Sequence, residues 1–278
     1  LPIVDRNEPG LCPLNSLGMI ASPDLQDPHM TGTIDRTGYR YIPGPFQYSG
    51  GVAALPGYAI ERVRFANPVP LADGFRRIET FLRDAGLPLT AFCACELRSP
   101  APFTDDGFIA FNRDYCGTLE RWGIFANESN PVARSNVCPE IDAPAAPSFH
   151  AFCHVTPSDA AGHSFVVAGS GESQEGTGPY REKTIRYGET TADAIAEKGR
   201  YVLGVMEARM SALGGNWGST TAVQVYTVHY LYPFLASEIV ARGAARHGLT
   251  WQFCRPPVIG LEYEMDCRCV ATERVLPG

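Results

Sequence analysis

Lysine is almost missing from this chain: of 23 basic residues only two, Lys183 and Lys198, carry an amine, and the rest are arginines. That leaves few candidates for an amine nucleophile and many for planar guanidinium clamps on carboxylates. Excess positive charge is missing as well. With 30 acidic residues the formal charge is −7, which argues against nucleic acid or an anionic membrane surface as a partner. No apolar run approaches the length of a membrane span. The opening Leu1-Pro2-Ile3-Val4-Asp5 has neither the basic nor the apolar region of a secretory leader, so a cytoplasmic location is expected. The chain has no Cys-x-x-Cys pair, no His-Glu-x-x-His and no nucleophile elbow, and its Gly-x-Gly lacks the rest of a dinucleotide fingerprint. No metal and no cofactor are therefore expected. The nine cysteines are odd in number and scattered, which reads as reduced, mostly buried thiols. Cys254, beside Arg255, would be reactive if exposed, and that stays open.

What the chain does have is 45% hydrophobic residues over 278 positions, enough for one large core or two of ordinary size. It also repeats itself. Residues 46–155 and 164–270 can be laid over each other element by element. Each unit opens with a short strand ending in glycine, Phe46-Gln47-Tyr48-Ser49-Gly50-Gly51 and Phe165-Val166-Val167-Ala168-Gly169-Ser170-Gly171. An irregular, charged stretch leads to an amphipathic helix. The first spans residues 71–85, with Phe75, Ile78, Phe81 and Leu82 at helical spacing; the second spans 191–213, with Ile195, Val202, Val205, Met206 and Met210. Gly86 and Gly214 close them. A strand follows at 90–97 and at 222–228, then a proline loop in which Pro102-Phe103 matches Pro233-Phe234. A second helix is expected at 105–122 and 233–247. Two closing strands lie near 132–138 and 148–155, then near 250–255 and 261–271.

Strands flanking two helices in each half predict an α/β (α+β) protein of two tandem units, each a mixed sheet with two helices packed on one face. The boundaries are an N-terminal arm over 1–45, a first unit over 46–155, a linker over 156–163 and a second unit over 164–278.

This element order resembles the RidA/YjgF family, whose single units share the chorismate-mutase-like fold. Pro131-Val132-Ala133-Arg134-Ser135-Asn136-Val137 is similar to that family's Pro-Ala-Arg-Ser-x-Val strand with one residue inserted, and Phe111-Asn112-Arg113-Asp114-Tyr115 resembles its helix asparagine motif. The resemblance implies that Arg134 holds a substrate carboxylate and that Asn112 joins the site. The family's closing strand carries an acidic residue credited with activating water. In the first unit Ser148 stands there, whereas Glu262-Tyr263-Glu264 in the second places Glu264 at that position. Arg255, in Cys254-Arg255-Pro256-Pro257, corresponds to the second unit's arginine. Neither half is complete alone, and a pocket joining Arg134 and Asn112 to Glu264 and Arg255, within or between chains, is expected. Family members assemble as trimers, which implies a homotrimer of two-unit chains, or a hexamer.

Arginine grips a carboxylate with two parallel hydrogen bonds and does not deprotonate; one suits a monocarboxylate and two facing one pocket suit a dicarboxylate. A buried glutamate with a raised pKa can move protons between water and a leaving group. Backbone donors of Ser170, Gly171 and Glu172 add candidate substrate contacts. The expectation is a hydrolytic deaminase of a small enamine or imine carboxylate, of the 2-aminomuconate type found in aromatic-ring breakdown. The alternatives are a chorismatase-like hydrolase and a non-catalytic ligand binder.

Overall fold

The computed structural model describes residues 33–159, 162–176 and 178–277. Chain order runs β1 (Ile34–Arg36), β2 (Tyr39–Ile42), β3 (Gly51–Ala54), β4 (Tyr58–Pro70), α1 (Leu71–Asp84), β5 (Phe92–Arg98), α2 (Asp105–Arg121), β6 (Ala133–Pro139) and β7 (Ser148–Pro157). It continues through β8 (Phe165–Gly171), α3 (Tyr180–Lys183), α4 (Ala192–Leu213), β9 (Ala222–Tyr226), α5 (Tyr232–Phe234), β10 (Thr250–Gln252), β11 (Cys254–Arg255), β12 (Glu264–Cys269) and β13 (Thr272–Leu276).

Threonines start the two longest helices. Thr104 Oγ1 accepts from Gly107 N at 3.1 Å ahead of α2, and Thr191 Oγ1 accepts from Ala194 N at 3.3 Å ahead of α4, each satisfying a backbone donor of the first turn. Gly214, at φ +85°, ends α4 in the left-handed conformation that favours glycine. The apolar faces go where the spacing puts them. Phe75, Ile78 and Leu82 of α1 join one core with β5 and β7, while Val202, Met206 and Met210 of α4 join another with β8, β9 and β12. The last helix departs from expectation: α5 is one short turn that runs on into a π-helix, Leu235–Val240, and residues 241–247 form turns.

The sheets are ordered β11-β6-β5-β7-β4-β13 and β1-β2-β3-β8-β12-β9-β10. Within them the runs β6-β5-β7-β4 and β10-β9-β12-β8 have the same connectivity and directions, one parallel pair followed by two antiparallel ones. Strands also cross between halves. β3 pairs with β8, so β1, β2 and β3 extend the second unit's sheet, and β13 pairs in parallel with β4 of the first.

Two expectations change accordingly. The described part of the supposed arm, from residue 33, is a hairpin built into a sheet, while residues 1–32 lie outside the described residues. β4, and not residues 46–51, holds the place in the first half that β8 holds in the second; within 46–51 Ser49 makes an isolated bridge to Ala133 and Gly51 begins β3. The stretch read as irregular because of Glu61, Arg62 and Arg64 is the long strand β4. Arg62 is buried, its Nε 2.6 Å from Glu96 Oε1.

Polar side chains join the two sheets. Arg98 Nη2 donates to Gln252 Oε1 at 2.9 Å and Gln224 Nε2 to Glu96 Oε2 at 3.4 Å, while within the second sheet Gln224 Nε2 also donates to Asp266 Oδ1 at 2.8 Å and Tyr226 OH to Asp266 Oδ2 at 2.7 Å. Burial lifts the Glu96 carboxyl, but the charge and hydrogen bond of Arg62 outweigh it and hold Glu96 well below the usual carboxylate range. Burial, followed by the charge of Glu96, raises Asp266. Where β6 meets β8, the seam between the halves opens into a cavity.

Candidate active site

The cavity has a volume of about 500 Å³, within the range of small-molecule sites. Arg134 and Asn136 reach it from β6, two positions apart and so on one face of the strand. Gly169 and Gly171 of β8, Arg209 of α4 and Glu264 of β12 also line it. Phe108, Val258 and Leu261 form a small apolar cluster that lines another side. Arg134 and Glu264, contributed by different halves, therefore line one cavity within a single chain.

Arg134 is only 2% exposed, yet its Nε and Nη1 have no hydrogen-bond partner among the described residues. Aromatic faces surround it instead, with the guanidinium carbon 4.9 Å from the Tyr115 ring centre and 5.6 Å from that of Phe111. Cation–π contact compensates a buried guanidinium only in part, and its in-plane donors stay available for an anion. Asn136 adds another: its Oδ1 accepts from Ser99 Oγ at 2.9 Å, while its buried Nδ2 has no partner among the described residues.

Glu264 is buried, with Oε1 unpartnered among the described residues. Burial first, then repulsion from Asp266 and Glu172, raises its carboxyl well above the usual range, while Arg134 and Arg98 pull it back in part. The shift favours the protonated form of the carboxyl, and Arg134, which lines the same cavity, is one of the charges acting on it. Its position is fixed from behind. Glu172 accepts from the backbone N–H groups of Glu262, at 2.5 Å, and Tyr263, at 3.2 Å, the two residues that precede Glu264. Lys198 Nζ stands 3.3 Å from Glu172 Oε1, both side chains fully buried.

Of the other expected site residues, Gly171 lines the cavity and the rest do not. Glu172 is this structural clamp and does not line the cavity. Ser170 Oγ accepts from Arg209 Nη1 at 2.9 Å, and Gly171 lines the cavity opposite Glu264 in the β8–β12 register. Asn112 is buried in α2, its Nδ2 donating to Phe108 O at 2.6 Å, and it is not part of the cavity wall. Arg255 is a correction. It lies outside the cavity wall, half exposed, with Nε 2.9 Å from Glu140 and Nη1 3.6 Å from Glu262, because the short β11 that carries it is the sheet edge beside β6. Cys254 is no activated thiol, since burial pushes it up to about 11. The eight described cysteines are free, and no group of three or more His, Cys, Asp or Glu among the described residues is arranged to hold a metal.

Sequence reasoning missed Arg209, Asn136, Tyr48 and Tyr180. Arg209 had a signal: it falls on the buried face of α4, four residues after Val205 and seven after Val202, where an arginine is costly without a purpose. Tyr48 and Tyr180 line the cavity, and burial raises both phenols, that of Tyr180 to about 12. Both stay protonated donors.

Comparison with known proteins identifies the chain as an enzyme acting on C–N bonds. It belongs to the family of the 2-aminomuconate deaminase CnbZ, which it matches over residues 31–274. It is 49% identical over 241 residues to a 2-amino-5-chloromuconate deaminase from Comamonas testosteroni, a match covering 86% of this chain and 96% of that one. Among solved structures it is similar to a chorismatase, with a TM-score of 0.49 and 12% identity over 86% of this chain and 79% of that one. A cyanuric acid hydrolase from A. caulinodans gives 0.40 and 11%, over 78% and 68%. Likenesses at this level say nothing about chemistry. The RidA/YjgF assignment gains no support from these matches, and the reading as a non-catalytic binder gives way to the enzyme family. No described helix is long and apolar enough to cross a membrane.

Proposed function

We propose that this enzyme hydrolyses the amino group from a 2-aminomuconate-type enamine acid of aromatic catabolism, releasing ammonia. One observation carries the reading: Arg134, a buried cation with unpaired donors, and Glu264, a buried carboxyl with an unpartnered oxygen, line the same cavity. The family to which the chain belongs supports the substrate class.

Arg134 grips the carboxylate next to the amine, and Asn136 Nδ2 adds a hydrogen bond. Glu264 then gives its proton to a carbon conjugated with the amine, which turns the enamine into an iminium ion. Water attacks the C=N carbon, and the glutamate, now ionised beside Arg134, takes a proton from that water. Glu264 passes that proton to the carbinolamine nitrogen, the C–N bond breaks to release ammonia, and the hydroxyl proton returns to Glu264 as the ketone forms. The sum is enamine plus water giving ketone plus ammonia. Acid–base help of this kind is worth about 100- to 10,000-fold.

Ammonia release from freshly generated 2-aminomuconate tests the reading, with Glu264→Gln and Arg134→Met alongside. Rapid release in the wild type should fall by about 100-fold or more in each variant. A wild-type rate no faster than the uncatalysed background would sink the proposal.

A further inference from the structure

Arg209 is the second buried cation of the cavity, and a carboxylate already occupies it. Its Nη1 donates to Ser170 Oγ at 2.9 Å, and its Nη2 is paired with Glu175. The Nε is buried with no partner among the described residues. Nε and Nη2 form one edge of the guanidinium fork, the edge that takes both oxygens of a carboxylate in a bidentate pair. Glu175 therefore engages only half of what that edge offers.

The two partners are held very differently. The Arg209 side chain is 3% exposed and projects from the long helix α4, whereas that of Glu175 is 18% exposed and lies beyond the end of β8. Gly176 follows Glu175 with φ +124°, a conformation that suits glycine and no other residue well. Both Arg209 and Glu175 line the cavity with Arg134 and Glu264.

We infer that Glu175 stands in for the second carboxylate of the substrate: the distal carboxylate of a dicarboxylic acid displaces Glu175 from Arg209, so Arg209 makes the site selective for dicarboxylates. The inference rests on the proposed function for the identity of the acid, and adds where its far end binds. A guanidinium buried without an anion is costly, and swapping one carboxylate for another keeps Arg209 paired throughout. The incoming group gains the unused Nε as well, and Glu175 is released from its partly exposed position towards water. A monocarboxylate bound at Arg134 has nothing to offer Arg209 and must lie beside an ion pair that is already satisfied. The pair thus works as a filter for charge at the distal end of the ligand.

Two stable, unreactive acids separate the ideas: hexa-2,4-dienedioate, with a carboxylate at each end, and hexa-2,4-dienoate, with one. Binding of both is measured by calorimetry to the wild type, Glu175→Gln and Arg209→Met. The wild type should prefer the diacid. In Glu175→Gln the ratio of diacid to monoacid affinity should rise about tenfold or more, because the competing charge is gone. In Arg209→Met that preference should collapse to within about threefold. An unchanged ratio in Glu175→Gln overturns the proposal. Since that side chain is partly exposed, the variant stays informative even if Arg209→Met folds poorly. The ammonia assay keeps the two readings apart. Diacid preference without ammonia release would sink only the deaminase chemistry, whereas ammonia release with an unchanged ratio would sink only the role of Arg209.

Discussion

The backbone carbonyl of Arg134 lies so close to Gly169 that a Cβ on this glycine would stand 2.3 Å from the oxygen. Gly169 also has φ +69°, in the left-handed region. The contact joins the strand that carries Arg134 to the strand that pairs with the one carrying Glu264.

Gly169→Ala must therefore push β6 from β8 as well as strain the backbone. We expect a loss of about 2–4 kcal/mol in stability, read as a melting temperature lower by roughly 5–15 °C. Ammonia release should fall together with it, even at temperatures where the variant is fully folded. A variant with wild-type melting and activity would mean that the seam yields more easily than this contact allows.

Glu264 should cost the fold stability in return for its chemistry. Its folded pKa is raised above the unfolded value near 4.3. The cost is absent below that unfolded value and grows as pH rises towards the folded pKa, because the native state holds a proton that the unfolded chain gives up. Glu264→Gln removes this dependence. Thermal melts at pH 5 and pH 8 should show the variant gaining on the wild type, by roughly 2–5 °C more at the higher pH. A gap that shrinks with rising pH would contradict a protonated Glu264.

Lys198 acts on the site only through Glu172, which holds the backbone ahead of Glu264. Lys198→Met leaves a buried carboxylate without its cation, at a cost of about 3–5 kcal/mol. Adding Glu172→Gln should restore much of that stability by removing the stranded charge. Chemical denaturation of the single and double variants measures this, and a double variant no more stable than the single would refute the pairing.

The helices were legible in the sequence because apolar periodicity and a following glycine agree over Leu71–Asp84, Asp105–Arg121 and Ala192–Leu213, and a threonine precedes the last two. β4 was not. Local composition reads Glu61-Arg62-Val63-Arg64 as an irregular, charged stretch, and only Glu96 of β5, two strands away across β7, reveals that Arg62 is neutralised inside the protein. The site divides along the same line. Arg134 and Glu264 could be found from short motifs on single strands, whereas Glu172 looked like a ligand contact until its bonds to Glu262 and Tyr263 were seen. Arg255 was misplaced because its ion-pair partner Glu140 lies 115 residues away in the chain. Contacts across the seam leave no periodic trace in sequence.

The exchange of edge strands has a mechanical consequence. Because β1, β2 and β3 extend the second sheet and β13 is laid along β4 of the first, each half is clasped by chain from the other. A cut near residue 160 would strip each sheet of edge strands that the other fragment carries, and would part Arg134 from Glu264. The halves are latched from both ends, so the cavity stands or falls with the whole chain.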